Sequence, residues 1–266
     1  MVNRIKQVRN SATCIAFAAT VVILLNSCCK DRETTALTQR EVPITEKIKG
    51  VIIEGPWDVV IVQDSVNNTA VLEYNVPENK ITAELLPNGY LRVRVASLRN
   101  YNKKILRAKI EATALENIEA SGAATIRTSG QFYSYSSDIS LSGASTLKDF
   151  TFDGNRLEAH ISGASDVNLR NVQMNSCIVK ASGASDFYGS GYAAKTSFSG
   201  SGSSNFQTYN FESENLDVDL SGASSAEVTV NHTIKGELSG ASKLKYRNAE
   251  DVSGVSVAGS SKIIRD

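Results

Sequence analysis

From residue 139 onward, apolar and polar positions alternate in short bursts that each run into the same four-residue phrase. Ile139 and Leu141 flank Ser140, Ala159 and Ile161 flank His160, Val179 and Ala181 flank Lys180, and Val218 and Leu220 flank Asp219. Period two is the signature of a strand with one face buried. The phrase is Ser-Gly-Ala-Ser or a near variant. It begins at Ser121, Ser142, Ser162, Ser182, Ser201, Ser221, Ser239 and Ala258, at intervals of 21, 20, 20, 19, 20, 18 and 19 residues. One variable residue after each phrase, a second apolar column opens with Ile126, Leu147, Val167, Phe187, Phe206, Leu244 and Ile263.

A fixed beat of this length belongs to a solenoid, in which each turn packs only on its neighbours. The pattern therefore predicts an all-β fold, a parallel β-helix with coils of about 20 residues, each coil holding two or three short strands. General crossover preference makes it right-handed. Equivalent side chains would stack about 4.8 Å apart, so eight coils give a rod of roughly 38 Å. Within the phrase, the alanine column (Ala144, Ala164, Ala184) reads as a tight inward corner, and the last serines (Ser145, Ser165, Ser185) as partners bonding from coil to coil. An antiparallel sandwich or a propeller also contains many short strands. A propeller blade takes about forty residues, so two phrases would have to share one blade.

Between Ile44 and Leu115 the phrase is absent, yet strand signals continue at Val51–Ile53, Val59–Val62, Ala70–Tyr74, Ile81–Leu85 and Tyr90–Val95. Gly55-Pro56, Asn67-Asn68, Pro77-Glu78-Asn79 and Pro87-Asn88-Gly89 read as turns, the last as a hairpin. Residues 44–115 are thus expected to begin or cap the rod that residues 116–266 build, with a separate β domain as the alternative. Trp57, the one tryptophan, is either an exposed platform for a sugar or a packed cap residue.

Residues 1–27 read as a leader: Arg4, Lys6 and Arg9 precede an apolar stretch from Ala12 to Leu25 that is short for a membrane span. Leu25-Asn26-Ser27-Cys28 resembles the lipobox of bacterial lipoproteins, which makes Cys28 the expected lipidated N-terminus. An ordinary signal peptide cut nearby is the alternative. The polar, aperiodic residues 28–43 read as a tether. In the folded part only Cys177 remains, in an apolar column, so no disulfide framework is implied.

The stretch from Ile48 to Asp64, the segment Asn88-Gly89-Tyr90-Leu91 and the recurring phrases together resemble the auto-transporter adhesin head GIN domain family of Bacteroidetes lipoproteins and cell-surface proteins. The resemblance covers about residues 44–264. It implies a β-solenoid-like fold and an adhesin role, and it brings no catalytic residues with it. The start Cys28-Cys29-Lys30-Asp31-Arg32-Glu33 is similar to the short charged signal that sends some Bacteroidetes lipoproteins to the outer face of the outer membrane.

Charge adds little, because 28 basic residues balance 28 acidic ones and a nucleic-acid partner gets no support. No HExxH, Walker loop, GxSxG elbow or paired metal-ligand cysteines occur, and no cofactor is expected. Two candidate sets remain. Asp166 and Asp186 fall in the variable column on successive coils, where paired carboxylates would bind calcium or serve acid–base chemistry on a polysaccharide, although Asp is also a common turn residue. Tyr133, Tyr135, Tyr188, Tyr192 and Tyr209 are the surface candidates among the aromatics, whereas Phe152, Phe187, Phe206 and Phe211 read as core. The expected protein is a lipid-anchored outer-membrane component, surface-exposed or facing the periplasm, that acts as an adhesin or scaffold without catalysis. Membrane lipid is its expected partner through acylation, with surface glycans or envelope proteins as further partners and the oligomeric state left open. A glycan-binding module and a polysaccharide lyase or hydrolase are the alternatives.

Overall fold

The computed structural model describes residues 35–98 and 103–266, so the leader and Cys28 lie outside the described residues. The N-terminal strands are β1 (Thr38–Glu41), β2 (Gly50–Glu54), β3 (Asp58–Gln63), β4 (Thr69–Tyr74), β5 (Ile81–Leu85), β6 (Tyr90–Val95), β7 (Leu106–Ala112), β8 (Asn117–Ser121) and β9 (Thr125–Ser129). The repeated part follows with β10 (Gln131–Leu141), β11 (Thr146–Ile161), β12 (Asp166–Ala181), β13 (Asp186–Gly200), β14 (Asn205–Leu220), β15 (Ser225–Leu238), β16 (Lys243–Asn248), β17 (Asp251–Val257) and β18 (Lys262–Arg265).

From β10 to β18 the chain is a parallel solenoid, one coil per phrase. Leu141 pairs with Ile161, Ile161 with Ala181, Ala181 with Gly200, Gly200 with Leu220, Leu220 with Leu238 and Leu238 with Val257. The predicted apolar columns are therefore continuous interior rows. The expectation of two or three short strands per coil is modified: β11 to β15 run for 14–16 residues each and bend without ending. The bends fall at register shifts between Leu147 and Phe150 and between Phe150 and Asp153, with Asp149 and Asn171 at positive φ. Asp and Asn tolerate that region better than other side-chain-bearing residues.

Packing along the rows alternates large and small. Phe198 stacks on Phe206 with ring centroids 4.8 Å apart, and Gly200 leaves the room: a Cβ there would stand 2.8 Å from Phe206. Phe132, Phe150 and Phe152 form a second aromatic group in the earlier coils. Cys177 is fully buried in its apolar row, and burial pushes its thiol up to about 12, so it packs as a small hydrophobe.

Two readings of the phrase are corrected. Ala144, Ala164 and Ala184 are exposed, and it is Ser145, Ser165 and Ser185 that point inward. The small inward residue has to satisfy a buried hydroxyl, and most of these serines do so inside their own turn. Ser145 Oγ donates to the Ser142 carbonyl at 2.9 Å, and Ser185 Oγ to Ser182 at 2.8 Å. Bonds from coil to coil run through the turn backbone instead: Ala144 N–H donates to Gly122 O, and Ala164 N–H to Gly143 O, both at 2.8 Å. Ser165 is an exception, because its Oγ accepts the Ser145 N–H at 3.2 Å.

The N-terminal strands join this stack out of chain order. β2 lies parallel between β6 and β8, and β3 parallel between β7 and β9. The antiparallel strands sit outside: β5 closes on β6 through the Leu86–Gly89 turn, β4 pairs with β7, and β1 pairs with β4. On the side that follows the phrase, twelve strands succeed one another from β1 to β18, a depth of roughly 50 Å at about 4.8 Å per strand.

Candidate functional site

The pairing of β2–β3 with β8–β9 settles the fate of Trp57. Glu54 stands opposite Ser121 and Asp58 opposite Thr125, so Glu54-Gly55-Pro56-Trp57-Asp58 stacks on Ser121-Gly122-Ala123-Ala124-Thr125. Trp57 occupies the inward position that serine holds in later turns. It is only 1% exposed and no ligand reaches it, so the sugar-platform reading is corrected.

The tyrosines do not converge. Tyr133 (60% exposed) and Tyr192 share one outward column, separated by Asp153 and Gln173, while the freely exposed Tyr135 (79%) projects near Tyr133. Tyr192 is half-buried, and desolvation together with Glu214 raises its phenol. Tyr188 lies on the strand segment after the phrase, between Asn168 and Gln207. Tyr209 is half-buried beneath Arg247, whose guanidinium carbon lies 3.9 Å from the ring centroid, so little of its face is free.

Asp166 and Asp186 are adjacent, paired in register on β12 and β13, with Tyr188 beside them. Burial, then the charge of Asp186, raises the Asp166 carboxyl. Asn205 donates to Asp186 at 2.8 Å, and Ser225 donates to Asn205 at 2.8 Å, so the column is a hydrogen-bonded side-chain ladder. Among the described residues no group of three or more His, Cys, Asp or Glu is placed to hold a metal.

A concavity lies on the other side of the phrase. A groove of about 640 Å³ runs along the rod beside the turns. Its edge is a row of first-position serines, Ser121, Ser142, Ser162, Ser182, Ser201 and Ser221, and it runs over the strand ends that carry the interior residues Ile53, Leu141, Ile161 and Ala181, each at most 4% exposed. The Ser162 and Ser221 hydroxyls reach carbonyls only at 3.3 and 3.4 Å, long for an O–H···O bond, which leaves them available to a ligand. The opposite edge carries Glu119, His160, Lys180 and Asp219, and with Glu54 the lining holds three carboxylates against one lysine and one histidine. Next to it Glu158 meets Lys180 at 3.1 Å and His160 at 3.0 Å. Desolvation pushes the Glu158 carboxyl up, but its bonds to Lys180 and Arg156 outweigh this and hold it below the usual range. Periodicity marked these serines as part of the repeat. That their side chains border a groove depends on how the turn bulges from the sheet, which no spacing reveals.

These features define a β-solenoid that displays long columns of side chains, the architecture of an adhesin-type domain. The chain belongs to the family described as "Putative auto-transporter adhesin, head GIN domain", which matches residues 48–249. Solved structures share the fold at low identity. A "putative adhesin" from Parabacteroides merdae is 14% identical with a TM-score of 0.78, covering 88% of this chain and 98% of its own. A "putative lipid binding protein" from Parabacteroides distasonis is 15% identical with a TM-score of 0.76, covering 89% and 100%. A "putative adhesin" from Bacteroides fragilis is 14% identical with a TM-score of 0.61, covering 88% and 97%. No curated protein matches.

Proposed function

We propose that this protein is a lipid-anchored, surface-exposed outer-membrane adhesin that holds an extended, uncharged glycan lengthwise in the serine groove. The carrying observation is the in-register row of serine hydroxyls along the groove over several successive coils. Hydroxyls at about 4.8 Å intervals offer a repeating polymer the same partner at every coil. The acidic excess of the lining favours a neutral chain over a polyanion. Anchoring would run through Cys28, which the lipobox-like sequence favours.

A second reading places an acyl chain in the same groove. It is favoured by the relative described as lipid binding. One experiment on cells producing the full chain addresses both. Labelled neutral glycans should bind wild-type cells, and Cys28→Ser should release the protein from the membrane together with that binding. The double change Ser162→Leu/Ser182→Leu removes hydroxyls while enlarging apolar surface, so glycan binding should fall at least about tenfold. Retained fatty-acid binding by that variant, with no glycan bound by wild type, would support the acyl reading instead. Glycan binding lost on Tyr188→Ala but kept by the double variant would move the site to the Asp186 side of the turn.

A further inference from the structure

The first outward position after each turn forms a row along the rod. From β12 to β18 it reads Asp166, Asp186, Asn205, Ser225, Lys243 and Lys262, each paired in register with the next. Two acidic groups thus stand together at one end of this stretch and two basic groups at the other. Asn205 donates to Asp186 and Ser225 to Asn205, both at 2.8 Å, which fixes the middle of the row. Among the described residues none of the four charged groups is ion-paired, whereas Arg127 holds Asp58 on an earlier strand of this face and Lys245 holds Glu227 at 2.8 Å in the adjacent row. Like charges one coil apart, at about 4.8 Å, repel each other.

The order of charges inverts about the midpoint between Asn205 and Ser225. Asp186 and Lys243 lie about 7 Å from that midpoint, and Asp166 and Lys262 about 12 Å. Consider a two-fold axis through it, directed along the strands and lying in a plane of contact. The axis turns a second copy face to face and reverses its stack, while each row falls back on itself. Asp166 then meets the partner subunit's Lys262, Asp186 meets the partner's Lys243, and Asn205 meets the partner's Ser225. The adjacent outward row, Asn168, Tyr188, Gln207, Glu227, Lys245 and Ile264, accepts the same reversal. There Tyr188 meets the partner's Lys245 and Gln207 the partner's Glu227, so neither row opposes like charges. A slip of one coil in either direction loses half of the charge pairs.

We propose that this face is a self-pairing interface through which two copies pack antiparallel over their β12–β18 coils. The occupant is a second copy because one row carries both members of each charge pair, at matching distances on either side of a single axis. Six opposed strands span about 29 Å, a small contact, which makes the pairing reversible and salt-sensitive. β1 and β4 lie at the far end of the stack, where Thr35 bonds to Asn75. In the pair those ends point in opposite directions, so rods anchored near them would join two facing membranes. The bridging of membranes rests on anchoring through Cys28; the pairing of rods does not, and neither depends on what the groove binds.

Charge exchange tests the pairing. The full chain in detergent should sediment as a dimer at high concentration and low salt, and as a monomer in about 1 M salt. Asp166→Lys/Asp186→Lys leaves only basic charges in the row, and Lys243→Asp/Lys262→Asp leaves only acidic ones. Each double variant should self-associate at least about tenfold more weakly. Mixed in equal amounts, the two should pair with each other, which native mass spectrometry would detect. All four changes in one chain recreate the inverted order and should restore the homodimer. Circular dichroism melts like those of wild type would show that the variants fold. Should charge reversal unfold the chain, Asp166→Asn/Asp186→Asn removes the acidic charge at constant shape and should also weaken association. Wild type that stays monomeric, folded variants that dimerise as wild type does, or complementary variants that fail to pair would each overturn the proposal. A dimer that forms only with added calcium would overturn it too, by making the carboxylates an ion site.

Discussion

The turns Glu54–Asp58 and Ser162–Asp166 do the same backbone work with different contents. Each joins two strands of one coil, carries glycine second and a buried residue fourth, and ends in aspartate. In the later turn the fourth residue is Ser165, flanked in its row by Ser145 and Ser185, so a small hydroxyl fills the space. In the earlier turn it is Trp57. Beneath it the chain leaves β6 at Val95 and regains the stack only at Leu106, a longer connection than the phrase makes. There an indole fills the interior. What makes a segment a repeat copy here is its pairing register, and residue identity follows from what lies above and below.

The sharpest test of that contrast is Trp57→Ala. Emptying a fully buried aromatic site is expected to lower stability by about 3–5 kcal/mol in urea or guanidinium unfolding. Trp57→Phe should cost less than about 1.5 kcal/mol, because the buried indole Nε1 has no hydrogen-bond partner to lose. Ser165→Ala removes one hydroxyl that accepts the Ser145 N–H, a change of about 1 kcal/mol. Were Trp57→Ala no worse than Ser165→Ala, the idea that the indole fills the interior of its turn as the small serine fills the later one would be lost.

The glycines of the two turns separate next. Gly163 has φ +80°, and a Cβ there would lie 2.4 Å from the Gly143 carbonyl oxygen, which the stacked turn backbone holds in place. Gly55 has φ +109°, but its nearest obstacle, at 2.4 Å, is a methyl of the Val95 side chain, with the next atom at 3.8 Å. Both alanine variants meet the strain of left-handed φ, of order 1–3 kcal/mol. Only Gly163→Ala also pushes one coil off the next, so its unfolding midpoint should fall clearly further than that of Gly55→Ala. Equal losses would mean that φ alone decides, and that backbone contact between turns contributes nothing.

The same comparison explains what the sequence made legible. Rows such as Leu141, Ile161 and Leu220 were readable because identical neighbours above and below impose identical demands, and a period of about twenty survives even where Gly200 interrupts the row. Gly55-Pro56 was readable as a turn, but that Glu54–Asp58 is a copy of the repeat was hidden. It shares only glycine with the common phrase, and the coil that stacks under it comes later in the chain, so sequence order misleads about spatial order. The alanine column was also assigned inward, where the structure puts the serines. Alternation through a turn depends on the dihedral of the intervening glycine, and two small residues give no hydropathy contrast from which to correct the phase. Of the candidate site residues, the Asp166–Asp186 juxtaposition followed directly from the period, whereas the groove did not.

The last residue of each turn gives the smallest effect and the most specific one. Asp58 is ion-paired with Arg127, while Asp166 faces Asp186 one coil away. Burial and that like charge raise the Asp166 carboxyl above its ordinary value in the folded chain. The folded state therefore holds this proton more tightly than the unfolded one, so stability falls as pH rises from the unfolded value near 3.9 through the folded one. The whole penalty is present at neutral pH and vanishes below the unfolded value. Asp166→Asn should accordingly raise stability at pH 7, by less than about 1 kcal/mol for so solvated a pair, and leave it unchanged in strong acid. Asn would repeat the arrangement one coil further on, where Asn205 already donates to Asp186. Unfolding curves at both pH values, with and without calcium, decide the matter. Stabilisation of the parent chain by calcium, abolished in Asp166→Asn, would make the paired carboxylates a cation site, with the ion as the counter-charge that Arg127 supplies to Asp58.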